Sequence, residues 1–294
     1  MNRKRLFGNF LLLVTSFIWG TSYVANVEGL RIMSPYAFSA YRFLLSFLFI
    51  FLIAFFYTLL IKKPCDDATA WKKILKAGAV CGFFLFAASA FQQVGLQNTQ
   101  AGKAAFITTL YIVIVPVFCI FQGKKIHWSA WIAVFLGITG LYLLCVTEKF
   151  EISFPDTLVL IGSFFWAGHI MSCDYFVAEG DPLKISAAQF GFASLFFIIA
   201  TLLLEDPPAY NLLRQAFPFA FFAGLVASGI GFTLQIIAQR YTAPTVAALI
   251  LGMESVFAAL AGYFFLSEKL STGELAGCVL IFCAIISTQI SPSN

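Results

Sequence analysis

Few residues of this chain could do chemistry within the apolar runs that fill most of it, and those few carry the information. Four ionisable side chains, Arg42, His169, Asp174 and Glu254, fall inside such runs, with the amides Gln92, Gln93, Gln189, Gln235 and Gln239. A charge at the centre of a bilayer costs about 2.5–3.5 kcal/mol, so groups kept there are candidates for a polar binding site. Arg42 could grip an anionic group through paired N–H donors. Its alternative is to reach the surface along its own stem or to pair with Glu28. Glu254 could contact a substrate or carry a proton; its structural alternative is a protonated or amide-bonded group. Asp174, close to the end of its run, reads as a solvated helix end.

Thr15, Trp19, Ser22 and Asn26 follow one another at spacings of four, three and four, which is one face of a helix. Gly162, Trp166, His169 and Cys173 repeat that stripe at a constant offset of 147. Each stripe places a polar group one turn after a tryptophan, as the wall of a central cavity would. Packing of the tryptophans in a bundle core, with His169 bonded to a neighbouring carbonyl, is the structural alternative. Tyr23, beside the first stripe, joins the candidates. The expected substrate contacts are therefore Trp19, Ser22, Tyr23, Arg42, Trp166, His169, Gln189, Gln235 and Glu254.

Enzymatic patterns do not appear. His169 and Asp174 are five residues apart, about 140° around a helix, so they do not face one site. There is no H-E-x-x-H, no nucleophile elbow and no paired-aspartate motif. The seven cysteines show no metal-ligand spacing and read as small buried hydrophobes. Neither a cofactor nor a metal is expected.

The elements that must position these residues are membrane spans. Hydrophobic residues make up 61% of the 294 and charged residues 11%, and the mean hydropathy is +0.91, far from the soluble balance. A span needs about 20 mostly apolar residues. Ten are predicted, roughly at 7–27, 36–61, 74–95, 103–122, 128–147, 156–177, 185–204, 216–238, 243–266 and 271–290. They leave no room for a soluble catalytic domain. The N-terminal Arg3-Lys4-Arg5 and the apolar run after it resemble a signal peptide, but the same segment recurs at 156–177 and so belongs to the fold.

The 147-residue offset also pairs Ser16–Gly20 (SFIWG) with Ser163–Ala167 (SFFWA), Pro35 with Pro182, Ser39 with Ser186 and Phe43 with Phe190. It becomes 146 at Ala77-Gly78 against Ala223-Gly224, and 143 for Gln92, Thr99, Ala104 and Ala105 against Gln235, Thr242, Ala247 and Ala248. The expected class is an all-α polytopic membrane protein, one structural domain built from a first repeat (1–147) and a second (148–294). With five spans each, an odd number, the second must insert upside down, the inverted-repeat plan of many secondary transporters. Gly78-x-x-x-Gly82 and its mate Gly224-x-x-x-Ser228 read as close helix contacts.

Lysine and arginine set the orientation. With the N-terminus inside, twelve lie on the inner side and five outside, Arg42 completing the 18. Both termini are then cytoplasmic, in a multi-pass protein of the cytoplasmic membrane whose surroundings are lipid. The basic balance thus reflects topology, and without a basic patch interleaved with loop aromatics nucleic-acid binding is discarded.

The S-F-x-W-[GA] opening of both halves, Tyr41-Arg42-Phe43, and the run Leu251-Gly252-Met253-Glu254-Ser255-Val256-Phe257-Ala258-Ala259-Leu260 leading to Glu268-Lys269-Leu270 resemble the EamA family of the drug/metabolite transporter superfamily. The resemblance covers essentially the whole chain. It implies ten helices, a substrate path between the halves and alternating access; such families mostly export amino acids and other small metabolites, and uptake members exist. A proline common after the ninth-span glutamate is Ser255 here, and Arg42 has Gln189 as its mate. The expectation is a carrier of a small organic metabolite, an amino acid or related compound, in the export direction, with halves hinged near Gly20, Pro116 and Gly231 and with proton coupling at Glu254. Uptake of a nucleoside-like compound and a passive channel are the rival readings.

Overall fold

Long apolar runs fold as helices in a membrane because every backbone N–H and C=O must be satisfied within the segment. The computed structural model describes residues 3–60, 68–99, 101–145, 153–178, 180–266 and 271–290, and among these there are helices and no strands. In chain order they are α1 (Arg3–Ile32), α2 (Pro35–Leu60), α3 (Ala68–Leu96), α4 (Ala101–Thr109), α5 (Tyr111–Phe121), α6 (Trp128–Cys145), α7 (Phe154–Val177) and α8 (Pro182–Leu204). Then come α9 (Tyr210–Phe221), a π-helical stretch (Phe222–Phe232), α10 (Thr233–Gln239), α11 (Pro244–Leu251), α12 (Glu254–Leu266) and α13 (Thr272–Ile290).

Among the described residues, eight segments are long and apolar enough to cross a membrane, among them Ala104–Phe121, Tyr210–Gln239 and Pro244–Ala261. The two parts of α1, Arg3–Ser22 and Val24–Ile32, are bent by 41° and are apolar enough to cross if taken together, and α13 is apolar over Thr272–Ser287. The chain is an all-helical polytopic membrane protein. Its outer surface suits lipid: Phe51, Phe55, Phe56 and Leu60 of α2 and Leu202 to Leu204 of α8 are exposed. Such positions absorb many of the 36 phenylalanines.

Besides α1, two spans expected to be continuous are interrupted by a tight turn. Between α4 and α5 the amide of Leu110 reaches Ile107 O (3.2 Å), a tighter turn than the α-helix makes, and Pro116 inside α5 lacks a donor altogether. Between α11 and α12 the turn falls at Gly252-Met253, with Met253 N donating to Ile250 O at 3.1 Å. The helix thus breaks just before Glu254 without the proline that the family resemblance associates with that place.

Packing follows the internal repetition. α2 packs on α8 and α6 on α13, each on the helix at the corresponding place in the other half. α3 packs on α7 and α8, while the π-helical stretch packs on α1 and α2, the same contacts with the halves exchanged. Glycines make the crossings close. A Cβ at Gly82 would lie 2.8 Å from Gln189 O, and one at Gly224 2.7 Å from Arg42 O. At α6–α13, a Cβ on Gly140 would stand 2.7 Å from Gly277 O. The small-residue motifs are therefore contacts, as expected, although Ser228 of the second also borders the cavity. Gly20 of the expected hinge abuts α12, where a Cβ would be 2.6 Å from Glu254 O; at Gly231 one would be 2.6 Å from Trp19 Nε1.

Helix starts are capped locally or from across the chain. Ser153 and Asp156 form a reciprocal capping box at α7, and Asp181 accepts from Leu183 N at α8, followed by Pro182. The first turn of α2 takes its acceptor from the far end of α8: Glu205 receives the Ser34 hydroxyl (2.6 Å) and the amides of Tyr36 (3.1 Å) and Ala37 (3.0 Å).

Candidate central cavity

The π-helical stretch sets the cavity wall. Wider turns displace its carbonyls from the usual ladder, and donors from neighbouring helices take them: Trp19 Nε1 donates to Ala227 O (2.8 Å), Ser46 Oγ to Gly224 O (2.8 Å) and Thr15 Oγ1 to Gly231 O (3.3 Å). Phe232 then lies against Trp19 (centroids 4.7 Å) and stacks on Trp166 (5.8 Å, 7° between planes). Trp19, Phe232 and Trp166 form one aromatic wall, with the tryptophans coming from opposite halves.

The cavity holds about 110 Å³, where one water needs about 10–15 Å³. Of the nine expected contacts, Trp19, Ser22, Arg42, Trp166, Gln235 and Glu254 line it. The side chain of Tyr23 lies outside the described residues. His169 and Gln189 are fully buried behind the wall and bond to each other, Nε2 to Oε1 at 3.0 Å; His169 also meets Phe232 edge-on. Thr15 caps a carbonyl of the π-helical stretch, so only the later residues of the first stripe face the cavity.

Arg42 is buried at 7% exposure, donates from Nη1 to Asn26 Oδ1 (3.1 Å), and lies 4.5 Å over the Phe43 ring. It neither reaches the surface nor pairs with Glu28, which binds Arg31 instead. Its Nε has no partner among the described residues. Glu254, half-buried, makes no hydrogen bond or ion pair among the described residues and is the cavity's one carboxylate there. Asp174 sits apart, paired with Lys124 at 3.1 Å.

Beyond the nine expected contacts, the lining includes Asn26 of the first stripe and the amide Gln93, both singled out in the sequence, and residues that were not. Asn26, Gln93, Tyr111, Ser228, Phe232 and Ser255 all border it. Tyr111 had a signal: it precedes Glu254 by 143, the offset that relates Gln92 to Gln235. Buried polar atoms without partners crowd this lining: Arg42 Nε, Gln93 Oε1, Tyr111 OH, Trp166 Nε1, Ser228 Oγ, Gln235 Oε1 and Ser255 Oγ. A buried polar group left unpaired costs about 1–3 kcal/mol, so the wall is made to meet water or a polar ligand. No group of three or more His, Cys, Asp or Glu side chains able to hold a metal exists among the described residues.

Away from the cavity, polar contacts gather where α5, α7 and α10 end. Beside Lys124–Asp174, Arg240 donates to the carbonyls of Val177 and Gly180. Thr242 donates to Asn9 (3.0 Å) in the same region.

Comparison with known proteins agrees with this architecture. The model of the EamA-like transporter family matches residues 6–146 and again 153–289. An uncharacterized transporter of Archaeoglobus fulgidus is 30% identical over 98% of this chain and 87% of its own. The uncharacterized transporter YoaV of Bacillus subtilis is 21% identical, over 96% and 97%. A WAT1-related chloroplastic protein of Arabidopsis thaliana is 25% identical, over 98% and 71%. One solved crystal structure shares the fold with a TM-score of 0.78 at 13% identity, covering 96% of each chain.

Proposed function

The chain belongs to the EamA-like transporter family and is a multi-pass membrane transporter; from that premise we propose that it carries a small organic metabolite, an amino acid or related compound, across the cytoplasmic membrane in the export direction. Its halves, 1–147 and 148–294, are inverted five-span repeats that rock about the cavity, with both termini cytoplasmic. The two separate family matches and the exchanged packing of α3 on α7 and α8 with the π-helical stretch on α1 and α2 support the repeat. The boundary at 147/148 itself lies outside the described residues.

One observation carries the carrier reading: the cavity is walled by both halves and lined by buried polar atoms that have no protein partner. Aromatic faces with a few placed polar groups suit an organic solute better than a bare ion. Lys124–Asp174 and the Arg240 contacts support closure at the inner end in this conformer. Thermal-shift screening of the purified protein against amino acids, nucleosides, polyamines and organic acids tests it, since a ligand at one hundred times its Kd adds about 2.7 kcal/mol of apparent stability. A selective hit that is also counter-transported by proteoliposomes supports the carrier. Solute flux that never saturates, with no stabilising ligand, overturns it in favour of a channel.

A further inference from the structure

Among the described residues, the unpartnered atoms of the lining residues include donors, Arg42 Nε and Trp166 Nε1, and acceptors, which lie on Gln235, Gln93 and Glu254. Gln235 Nε2 donates to Gln239 Oε1 (3.1 Å), and Gln239 Nε2 donates to Ile170 O (2.9 Å). This chain is anchored on a carbonyl, which can only accept, so both amides have a fixed sense. It ends in Gln235 Oε1, an acceptor without a donor, on a residue 1% exposed. Gln93 places a second unpartnered amide end there, on a residue 3% exposed, with no hydrogen bond among the described residues fixing its sense, and it offers an oxygen when so turned. Glu254 adds a carboxylate without a partner among the described residues. The hydroxyls of Tyr111 and of Ser255, the latter beside the Cys145 thiol, can serve as further acceptors.

Amide oxygens do not take up protons near neutrality, so protonating Glu254 would leave both glutamines unsatisfied. A ligand that pairs with all three of these acceptors brings several donors, and a positive charge complements the Glu254 carboxylate. Arg42, the only cation lining the cavity among the described residues, bonds Asn26 and lies over Phe43 with its Nε unpartnered there, and makes no ion pair with Glu254 among those residues. We propose that Glu254, Gln235 and Gln93 form a subsite for the primary ammonium group of the transported compound, with Tyr111 and Ser255 as secondary acceptors. A primary ammonium has three donors and no acceptor, which matches this set. Helix geometry assists, because Glu254 stands in the first turn of α12, where a negative charge is favoured. The inference rests on the carrier reading and narrows it to amines.

The test measures binding of L-leucinamide and of N-acetyl-L-leucinamide to the full-length protein in detergent, by thermal shift and tryptophan fluorescence. The pair differs in its ammonium group. L-leucinamide binds at least about tenfold more tightly, a difference of about 1.4 kcal/mol. Glu254→Gln, which keeps the side-chain shape, abolishes the preference, and Glu254→Asp restores part of it. Folding is checked by the unliganded melting temperature, and Glu254→Asp keeps the test valid if the glutamine variant misfolds. Equal binding of the two compounds overturns the inference, as does a saturable response to sodium or potassium with none to amines. Binding or transport of organic acids or nucleosides without any amine response sinks the subsite and leaves the carrier standing. Absence of any bound solute sinks both.

Discussion

Tyr111 and Glu254 stand 143 residues apart and do the same thing in the fold: each is the first residue of a helix that resumes after a break in an apolar segment, and both line the central cavity. One half thus offers a neutral phenol where the other offers a carboxylate. If Glu254 carries protons, Glu254→Gln flattens the pH dependence of transport while the protein still expresses and folds. Tyr111→Phe retains that dependence and loses only a single hydrogen bond to the ligand, about 0.5–1.5 kcal/mol. Proteoliposome transport across a series of buffers checks both, with Arg42 as the other charged group facing the same space. Unchanged pH dependence in Glu254→Gln would remove it from proton coupling.

The Glu205 bridge holds the end of one half to the start of a helix in the other. Its carboxylate satisfies two amides and a hydroxyl that α2 cannot satisfy itself. Glu205→Ala lowers stability by about 1–2 kcal/mol, the range for losing an N-terminal cap, and Glu205→Gln by less. Thermal unfolding in detergent reads the difference; equal and negligible shifts would mean that water replaces the cap without loss.

Gly140 and Gly277 let α6 and α13 meet backbone to backbone. Gly140→Val forces a side chain against the Gly277 carbonyl and the Ile281 amide, at a cost of about 1–3 kcal/mol from overpacking. Gly137→Ala, one turn earlier, meets chiefly the mobile end of Ile112 at 3.1 Å and is tolerated. Melting temperatures of the two variants should separate; if they coincide, the crossing is looser than its geometry.

Composition and the 147-residue offset made the helical membrane architecture legible, because lipid demands apolar length and the repeat preserves it. The cavity wall was legible where a polar group shares a face with a tryptophan, as at Trp19, Ser22 and Trp166. His169 shows where that logic stops. Asn26 and Arg42 of the first half correspond to Cys173 and Gln189 in the second. Arg42 bonds Asn26 from the cavity wall, whereas Gln189 turns to His169 and closes a buried pair behind Phe232. A substitution at one partner redirected the other, and face periodicity alone does not register such pairings. The breaks before Tyr111 and Glu254 escaped for a related reason: unbroken hydrophobicity gives no sign of where the helical ladder resets, and Ser255 stands where proline would have marked it.

Lys124 and Asp174 tie the end of α5 to α7, and Arg240 ties α10 to the end of α7. If these contacts hold the inner end shut, Lys124→Ala shifts the population toward the inward-open form. The pair is partly exposed, with side chains 47% and 19% accessible, so its contribution is modest, about 0–1 kcal/mol. That corresponds to a change of up to about fivefold in the population ratio. Labelling of a cysteine at Ile170 from the N-terminal side should speed up accordingly in a background cleared of native cysteines. An unchanged rate would show that the latch does not govern access.

Arg42 is the last test because its partners separate folding from recognition. Arg42→Ala removes the donor to Asn26 and the cation over Phe43, so some loss of stability accompanies any loss of transport. Arg42→Lys keeps the charge but not the fork that engages a planar anion through two bonds. Transport of zwitterionic or anionic compounds should fall about tenfold or more in Arg42→Ala, as expected for a lost charged contact of about 1.5–3 kcal/mol. A cationic amine without a carboxylate should be little affected. Competition between L-leucine and L-leucinamide for the same protein checks this directly. If both lose binding in proportion to the fall in melting temperature, Arg42 holds the bundle together; if only the carboxylate-bearing compound suffers, its free Nε faces the substrate's anion.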